Sequence, residues 1–463
     1  MFRQEIYIER RKKLKENLKS GIAIFPGNNE SPINYPSNPY HFRQDSSFLY
    51  FWGLDEPGLF AAIDLDNGDE IIFGDNRTLD DVIWMGPTRS VNEKAENVGV
   101  KKTAPTKEFA NFVKDALSKN RKVHFLPQYR ADNRFFLSEL LGINYHELNK
   151  HSSREFAKEV IAQRSIKSEE EIAEIEKALT TSFYMYLYAF KKTHPGAREQ
   201  EIAGGIEGIA LSRGRGVSFP TIFSIHGEIL HNHHHKNIMR SGDLVVLDSG
   251  AESFMHYASD ITRTFPVNGK YTSLQRDIYN AVLDAQLTAV EMIKPGIYYK
   301  DVHLKAARVI TERLKDLGLM KGNTDEAVKA GAYALFFPHG LGHMMGLDVH
   351  DMEGLGENLV GYEEGQQRSE QFGLAFLRLA RKLQPGFVLT VEPGIYFIPK
   401  LIELWKAENK HADFIDYSKV EKMIGFGGIR IEDDILVTSE GNKVLGHKIA
   451  KTVEEVEEIC QNT

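Results

Sequence analysis

Four short strand-like segments of this chain each offer one acid toward an interior, and no other feature restricts the possible folds as much. In an extended chain residues i and i+2 share a face, so in LVVLDSG the side chains of Leu244, Val246 and Asp248 project to one side. Asp260 shares a face with Thr262 in YASDITRTFPV, Glu392 with Val388 and Thr390 in VLTVEPGIYF, and Glu432 with Arg430 in GGIRIEDDILV. A face of that kind normally points into a core, and the Thr262 hydroxyl is placed to orient a neighbouring carboxylate. Four carboxylates buried together would repel one another on top of their desolvation cost. The fold must keep them apart or gather them round positive charge, and two divalent ions would neutralise four such groups. A fifth donor is offered by HGLGHMMGLDVHD, whose glycines let backbone and imidazoles approach a centre closely, with His339, His343 and His350 as candidates. A donor set rich in oxygen with a single imidazole suits Mn2+, Co2+ or Zn2+ better than thiolate-seeking metals.

The rest of the pattern divides the chain in two. At 463 residues it is long enough for two domains at ~100 to 200 residues each. GIAIFPG (21–27), GLFAAIDL (58–65), EIIFGD (70–75) and KVHFLP (122–127) read as strands interleaved with helical stretches such as 106–119, an α/β domain over residues 1–165. Ser168 and Glu171 form a capping-box pattern that opens a helix with an apolar stripe at Ile172, Ile175, Leu179, Phe183 and Phe190, closed by His194-Pro195-Gly196. Residues 166–463 then alternate amphipathic helices (198–213, 273–294) with β-rich runs at 243–249, 254–267, 386–398 and 428–438. Helices covering one face of an antiparallel sheet suit this order, an α+β layout.

Composition removes several classes of function. The net charge of −8 is spread along the sequence without a long basic run, which gives no electrostatic support for nucleic-acid or anionic-membrane binding. Cys460 is the single cysteine, so an intrachain disulfide and a cysteine-ligated zinc site are both excluded, and a reducing compartment is expected. The N-terminus lacks a signal-like apolar core, and no uninterrupted apolar stretch approaches ~18 residues. A cytoplasmic protein without a membrane anchor is the expectation.

DSGAESFMHYASDITRTFPVNGKY, HGLGHMMGLDVHD, LQPGFVLTVEPGIYF and GFGGIRIEDDILV together resemble, in order and spacing, the metal-site blocks of the pita-bread metallopeptidases, in the branch of aminopeptidase P and prolidase. FRQDSSFLYFWGLDEPG (42–58) adds a resemblance to the N-terminal domain of that branch. The resemblance implies a smaller α/β N-terminal domain followed by a pita-bread catalytic domain. It implies two divalent metal ions, Mn2+ foremost, held by Asp248, Asp260, His343, Glu392 and Glu432, two of the carboxylates bridging. The implied chemistry is attack of a metal-bridging hydroxide on the scissile carbonyl, with Glu392 as proton acceptor. His231, in ILHNHHH, matches a histidine that supports the developing oxyanion. His339 and His350 match histidines that position substrate and assist proton transfer, and Arg430 would hold the ligand network in place. The segment SFPTIFSIHGEILH is shorter than the family's usual loop ahead of His231, which leaves His233, His234 and His235 as alternative contributors.

The implied substrates are peptides or dipeptides with proline in second position, cleaved at the Xaa-Pro bond, and the implied assembly is a homodimer or homotetramer. Aminopeptidase P is the expected activity and prolidase the alternative. For prolidase speak Arg378, which stands where prolidases cap a dipeptide's carboxylate, and a long insert, IPKLIELWKAENKHADFIDYSKVEKMI (398–424), after EPGIYF. Two further rivals are a metal-free pseudo-peptidase scaffold, against which every ligand type is retained, and a methionine aminopeptidase, against which the long N-terminal domain speaks.

Overall fold

A computed structural model describes residues 1–461. Two compact units divide the chain between Arg164 and Ser165, with the turn Glu353–Gly356 grouping with the first. In the N-terminal unit, strands β1 (Ile22–Pro26), β2 (Phe60–Asp64), β3 (Glu70–Phe73), β4 (Lys102–Ala104) and β5 (Val123–His124) form one sheet in the order β4-β3-β2-β1-β5. Pairing is antiparallel in the middle and parallel at both edges. Ile22, Ile24, Ala62 and Phe73 bury one face of that sheet against Phe109, Val113 and Leu137 of the flanking helices. The edge strand β4 escapes the sequence pattern because its three residues, KTA, carry no apolar alternation.

The second unit begins where the capping box lies. The Ser168 side chain accepts from the Glu171 amide, the Glu171 carboxylate accepts from the Ser168 amide, and helix Glu169–Lys192 follows. Its strands are β6 (Gly216–Val217), β7 (Ile222–Ser224), β8 (Leu244–Asp248), β9 (Ala251–Glu252), β10 (Thr262–Pro266), β11 (Val388–Val391), β12 (Gly394–Tyr396), β13 (Gly428–Arg430), β14 (Asp433–Val437) and β15 (Asn442–Val444). Every pairing among them is antiparallel, in the groups β10-β8-β7, β11-β14-β15, β12-β13 and β6-β9. A bridge between Thr262 and Glu432 joins β10 to the β13–β14 chain, and one between Met344 and Leu389 joins the glycine-rich loop to β11.

Expected helices appear as Glu199–Arg213 and Ser273–Met292, and a further one, Tyr299–Asp316, adds to them. Its buried stripe of Val302, Ala306, Ile310 and Leu314 recurs every four residues, with the charges on the opposite face, so the sequence already carries its signal. The β-rich runs are shorter than expected. Only Thr262–Pro266 of 254–267 is strand, and 386–398 and 428–438 each break into two, at Glu392-Pro393 and at Ile431-Glu432. Among the described residues no helix is long and apolar enough to cross a membrane.

Candidate active site

Asp248 ends β8, and Asp260 lies two residues ahead of β10, which pairs with β8 so that Thr262 faces Asp248. Tyr186, from helix Glu169–Lys192, pins these ends: its hydroxyl donates to the Ile261 carbonyl and accepts from the Ser249 amide. The Asp260 amide donates to Asp434 Oδ2 at 3.0 Å, which fixes the turn.

The glycine-rich loop is laid along β11 by backbone bonds. Amides of Met345, Thr390 and Glu392 donate to the carbonyls of Val388, His343 and Leu341, and the His343 amide donates to Thr390 Oγ1 at 3.1 Å. Gly342 must be glycine, since a Cβ there would stand 2.1 Å from the Thr390 carbonyl oxygen and 2.6 Å from the Tyr299 hydroxyl. His343 Nδ1 donates to the Met344 carbonyl at 3.0 Å, so the other nitrogen, Nε2, presents its lone pair 3.4 Å from Asp260 Oδ2 and 3.9 Å from Glu392 Oε1.

These segments enclose a cavity of about 390 Å³ lined by Asp248, Asp260, His343, Glu392, Glu432, His231, His339, His350, Arg378 and Arg430. Ligand atoms of Asp260, His343 and Glu432 lie within 4.8 Å of one another. Asp248 Oδ1 and Asp260 Oδ1 are buried and accept no hydrogen bond from the described residues. Burial and the neighbouring carboxylates hold the Asp260 and Glu432 carboxyls well above the usual carboxylate range. Glu392 is pushed up to about 8, by burial first and by the Asp248 charge, against the pull of Arg430. Four acids crowded in this way, two with an orphaned oxygen, fit divalent cations.

Arg430 is the organiser of this set. Its Nη2 donates to Asp248 Oδ2 at 2.6 Å, Nε to Thr262 Oγ1 at 3.2 Å and Nη1 to the Tyr396 hydroxyl at 2.8 Å. Thr262 Oγ1 in turn donates to Glu432 Oε2 at 2.6 Å, so one guanidinium orients two carboxylates from different strands. His339 is engaged at both nitrogens. Nδ1 donates to the Gly340 carbonyl at 2.8 Å, which leaves Nε2 to accept from the Tyr396 hydroxyl at 2.9 Å, and burial pushes its pKa down to about 3. The His350 ring lies 4.2 Å from that of His343, centroid to centroid. His231 is exposed and lines the cavity together with His233. His234 and His235 are not among the lining residues; His235 Nδ1 bonds the Phe223 carbonyl.

Three contributors lie outside the sequence reading: Tyr396, Tyr186 and Asp434. Tyr396 could have been found, since it shares the alternation of Glu392 and Gly394 in EPGIY. Asp434 likewise shares the alternation of Arg430 and Glu432, whereas Tyr186 carries no local signal, because its partners are distant in sequence.

Residues 173–439 match the metallopeptidase family M24, and residues 7–125 match the aminopeptidase P N-terminal domain. A Xaa-Pro dipeptidase from Homo sapiens is 33% identical over 447 residues, covering 94% of this chain and 88% of that protein. A Xaa-Pro aminopeptidase from Escherichia coli (strain K12) is 33% identical over 473 residues, covering 98% and 97%. Among solved structures, zinc-substituted E. coli aminopeptidase P in complex with product matches with a TM-score of 0.82 at 31% identity, over 99% of this chain and 98% of that one. Proline aminopeptidase P II from Yersinia pestis matches at 0.81 with 29% identity, over the whole of both chains. The architecture is an aminopeptidase P-type N-terminal domain followed by a pita-bread catalytic domain. The chain belongs to metallopeptidase family M24, in the branch with an aminopeptidase P N-terminal domain.

Proposed function

We propose that the protein is an Xaa-Pro aminopeptidase, releasing the N-terminal residue of peptides whose second residue is proline, with Asp248, Asp260, His343, Glu392 and Glu432 holding two divalent cations. The observation that carries the reading is the convergence of four carboxylates in one cavity, where Asp248 Oδ1 and Asp260 Oδ1 are buried without a donor among the described residues. The oxygen-rich set favours Mn2+, with Co2+ and Zn2+ also compatible. When bound, such ions supply Lewis acidity toward the scissile carbonyl and lower the pKa of water enough for attack at neutral pH.

The chain's own groups do the rest. Glu392, the most accessible of the four acids, takes the proton from the attacking water and passes it to the leaving nitrogen of proline. His231 and His350 face the same cavity and supply donors to the carbonyl oxygen as it gains charge. His339 is occupied on both sides, so its part is to hold Tyr396 and, through it, Arg430. Arg430 keeps the Asp248 and Glu432 carboxylates aimed inward through the reaction. A homodimer or homotetramer and a reducing cytoplasmic setting complete this reading.

A prolidase activity is the second reading, favoured by one observation: Arg378 reaches the cavity wall while ion-pairing with Glu357 at 3.5 Å, so a guanidinium is present to meet a dipeptide's carboxylate. Purified protein assayed for bound metal by mass spectrometry, and for cleavage of Ala-Pro-Ala beside Gly-Pro, tests both. The proposal expects about two equivalents of metal per chain and faster turnover of the tripeptide. A preparation without metal and without cleavage of either peptide would mean a scaffold.

A further inference from the structure

The insert at 398–424 has no part in the metal set, yet it reaches the cavity through a file of aromatic rings. Trp405, 2% exposed on helix Pro399–Ala407, meets Phe372 edge-on at 5.7 Å, and Phe372 meets Phe376 edge-on at 5.7 Å. Lys410, also from the insert, lies over the Trp405 ring at 4.4 Å and over the Phe372 ring at 5.9 Å, spanning the pair. Phe376 lines the cavity and is 54% exposed. Such a ring on a loose loop would mean little. Here the backbone is held: Leu374 and Leu377 on either side are buried in a small cluster with Ala380 and Tyr362, the Tyr362 hydroxyl donates to the Leu377 carbonyl at 2.7 Å, and Arg368 Nη1 donates to the Ala375 carbonyl at 3.2 Å. A Cβ on Gly340, the neighbour of His339, would stand 3.0 Å from both Leu377 Cα and the Phe376 carbonyl oxygen, so the segment is seated directly on the site loop.

A large apolar side chain left exposed on a braced backbone, facing a cavity that also presents Phe219, Pro220, Ile222, Leu230 and Val349, is a surface awaiting an apolar partner. We infer that Phe376 is a specificity-determining residue that packs on the apolar part of the bound peptide, and that the 398–424 insert is its buttress, acting through Trp405 and Phe372. This rests on the peptidase reading above. A pre-positioned ring adds binding that is equal in ground and transition states, so it appears in KM and leaves kcat alone.

The test is steady-state kinetics of the metal-loaded full chain on Ala-Pro-Ala and Ala-Pro-Phe. Phe376→Ala is expected to raise KM about tenfold with kcat unchanged. Phe372→Leu, which cuts the file without opening the Trp405 core, is expected to raise KM in the same direction by a smaller factor. The double variant is expected to be no worse than Phe376→Ala alone, because Phe372 acts only through the ring already removed. An unchanged KM in Phe376→Ala, or factors that multiply in the double variant, overturns the inference and leaves the peptidase reading standing. A wild-type protein that binds metal and cleaves neither peptide overturns both.

Discussion

Arg263 offers the sharpest test of how the ligand strands are held. It is 1% exposed and makes five donor contacts: to the carbonyls of Ala450 (3.0 Å), Thr262 (2.9 Å), Glu432 (2.6 Å) and Ile449 (3.3 Å), and to Asp433 Oδ1 (2.7 Å). Thr262 and Glu432 form the bridge that places the Glu432 carboxylate, so this guanidinium clamps the backbone behind the candidate site. Arg263→Met keeps the stem and removes the fork. Losing one partner of a buried pair costs about 3–5 kcal/mol when the survivor stands alone. Asp433 retains Lys451 Nζ at 2.7 Å and Gln286 Nε2 at 2.8 Å, which places the expected loss at the lower end, about 3 kcal/mol. Of the three tryptophans only Trp405 lies in the second unit. In a Trp52→Phe/Trp84→Phe background, urea unfolding followed by fluorescence therefore reads that unit alone. At a slope of about 3 kcal/mol/M the midpoint should fall by about 1 M. Arg263→Met/Asp433→Leu should lose less than the sum of its single variants, because the two groups serve each other. A midpoint shift under about 0.3 M, or strict additivity in the double variant, would show that the clamp is not where the strands are held.

Asp260→Asn should abolish both metal retention and turnover while leaving the fold intact, checked by metal analysis beside circular dichroism; a variant that keeps its full complement removes Asp260 from the set. Arg378→Ala should impair Gly-Pro cleavage and spare Ala-Pro-Ala if the guanidinium meets a dipeptide carboxylate, and equal effects on the two would remove that role. Gly342→Ala should displace the loop from Thr390, given the 2.1 Å contact of the added Cβ, and lower metal affinity by at least about tenfold. His303, wholly buried against Tyr333, has its pKa lowered to about 3 by burial. Between that value and an unfolded value of about 6.5 the unfolded chain binds the extra proton, so stability falls as pH falls, by about 2 kcal/mol at pH 5. His303→Gln should flatten that part of the stability profile, and an unchanged slope between pH 6.5 and 5 would contradict it.

Strand alternation alone placed Asp248, Glu392 and Glu432 on inward faces, and it put Thr262 where its hydroxyl meets a carboxylate, because a period of two is a local property of the extended backbone. The capping box at Ser168 and Glu171 was legible for the same reason: its partners are three residues apart. Helix Tyr299–Asp316 carries the same kind of local signal, with Val302, Ala306, Ile310 and Leu314 at four-residue spacing. The engagement of His339 by Tyr396, 57 positions away, carries none.

What the residues determined by themselves, then, is the inventory: four acids on inward faces, an imidazole in a glycine-rich loop, and a charge problem that demands cations. Which nitrogen of His343 faces Asp260, which carboxylates Arg430 orients, and how an insert with no acid in the site comes to brace its wall were decided by tertiary structure alone. Those relations join segments more than a hundred residues apart in places, as from Asp248 to Arg430, and no local period of the chain encodes a contact of that separation.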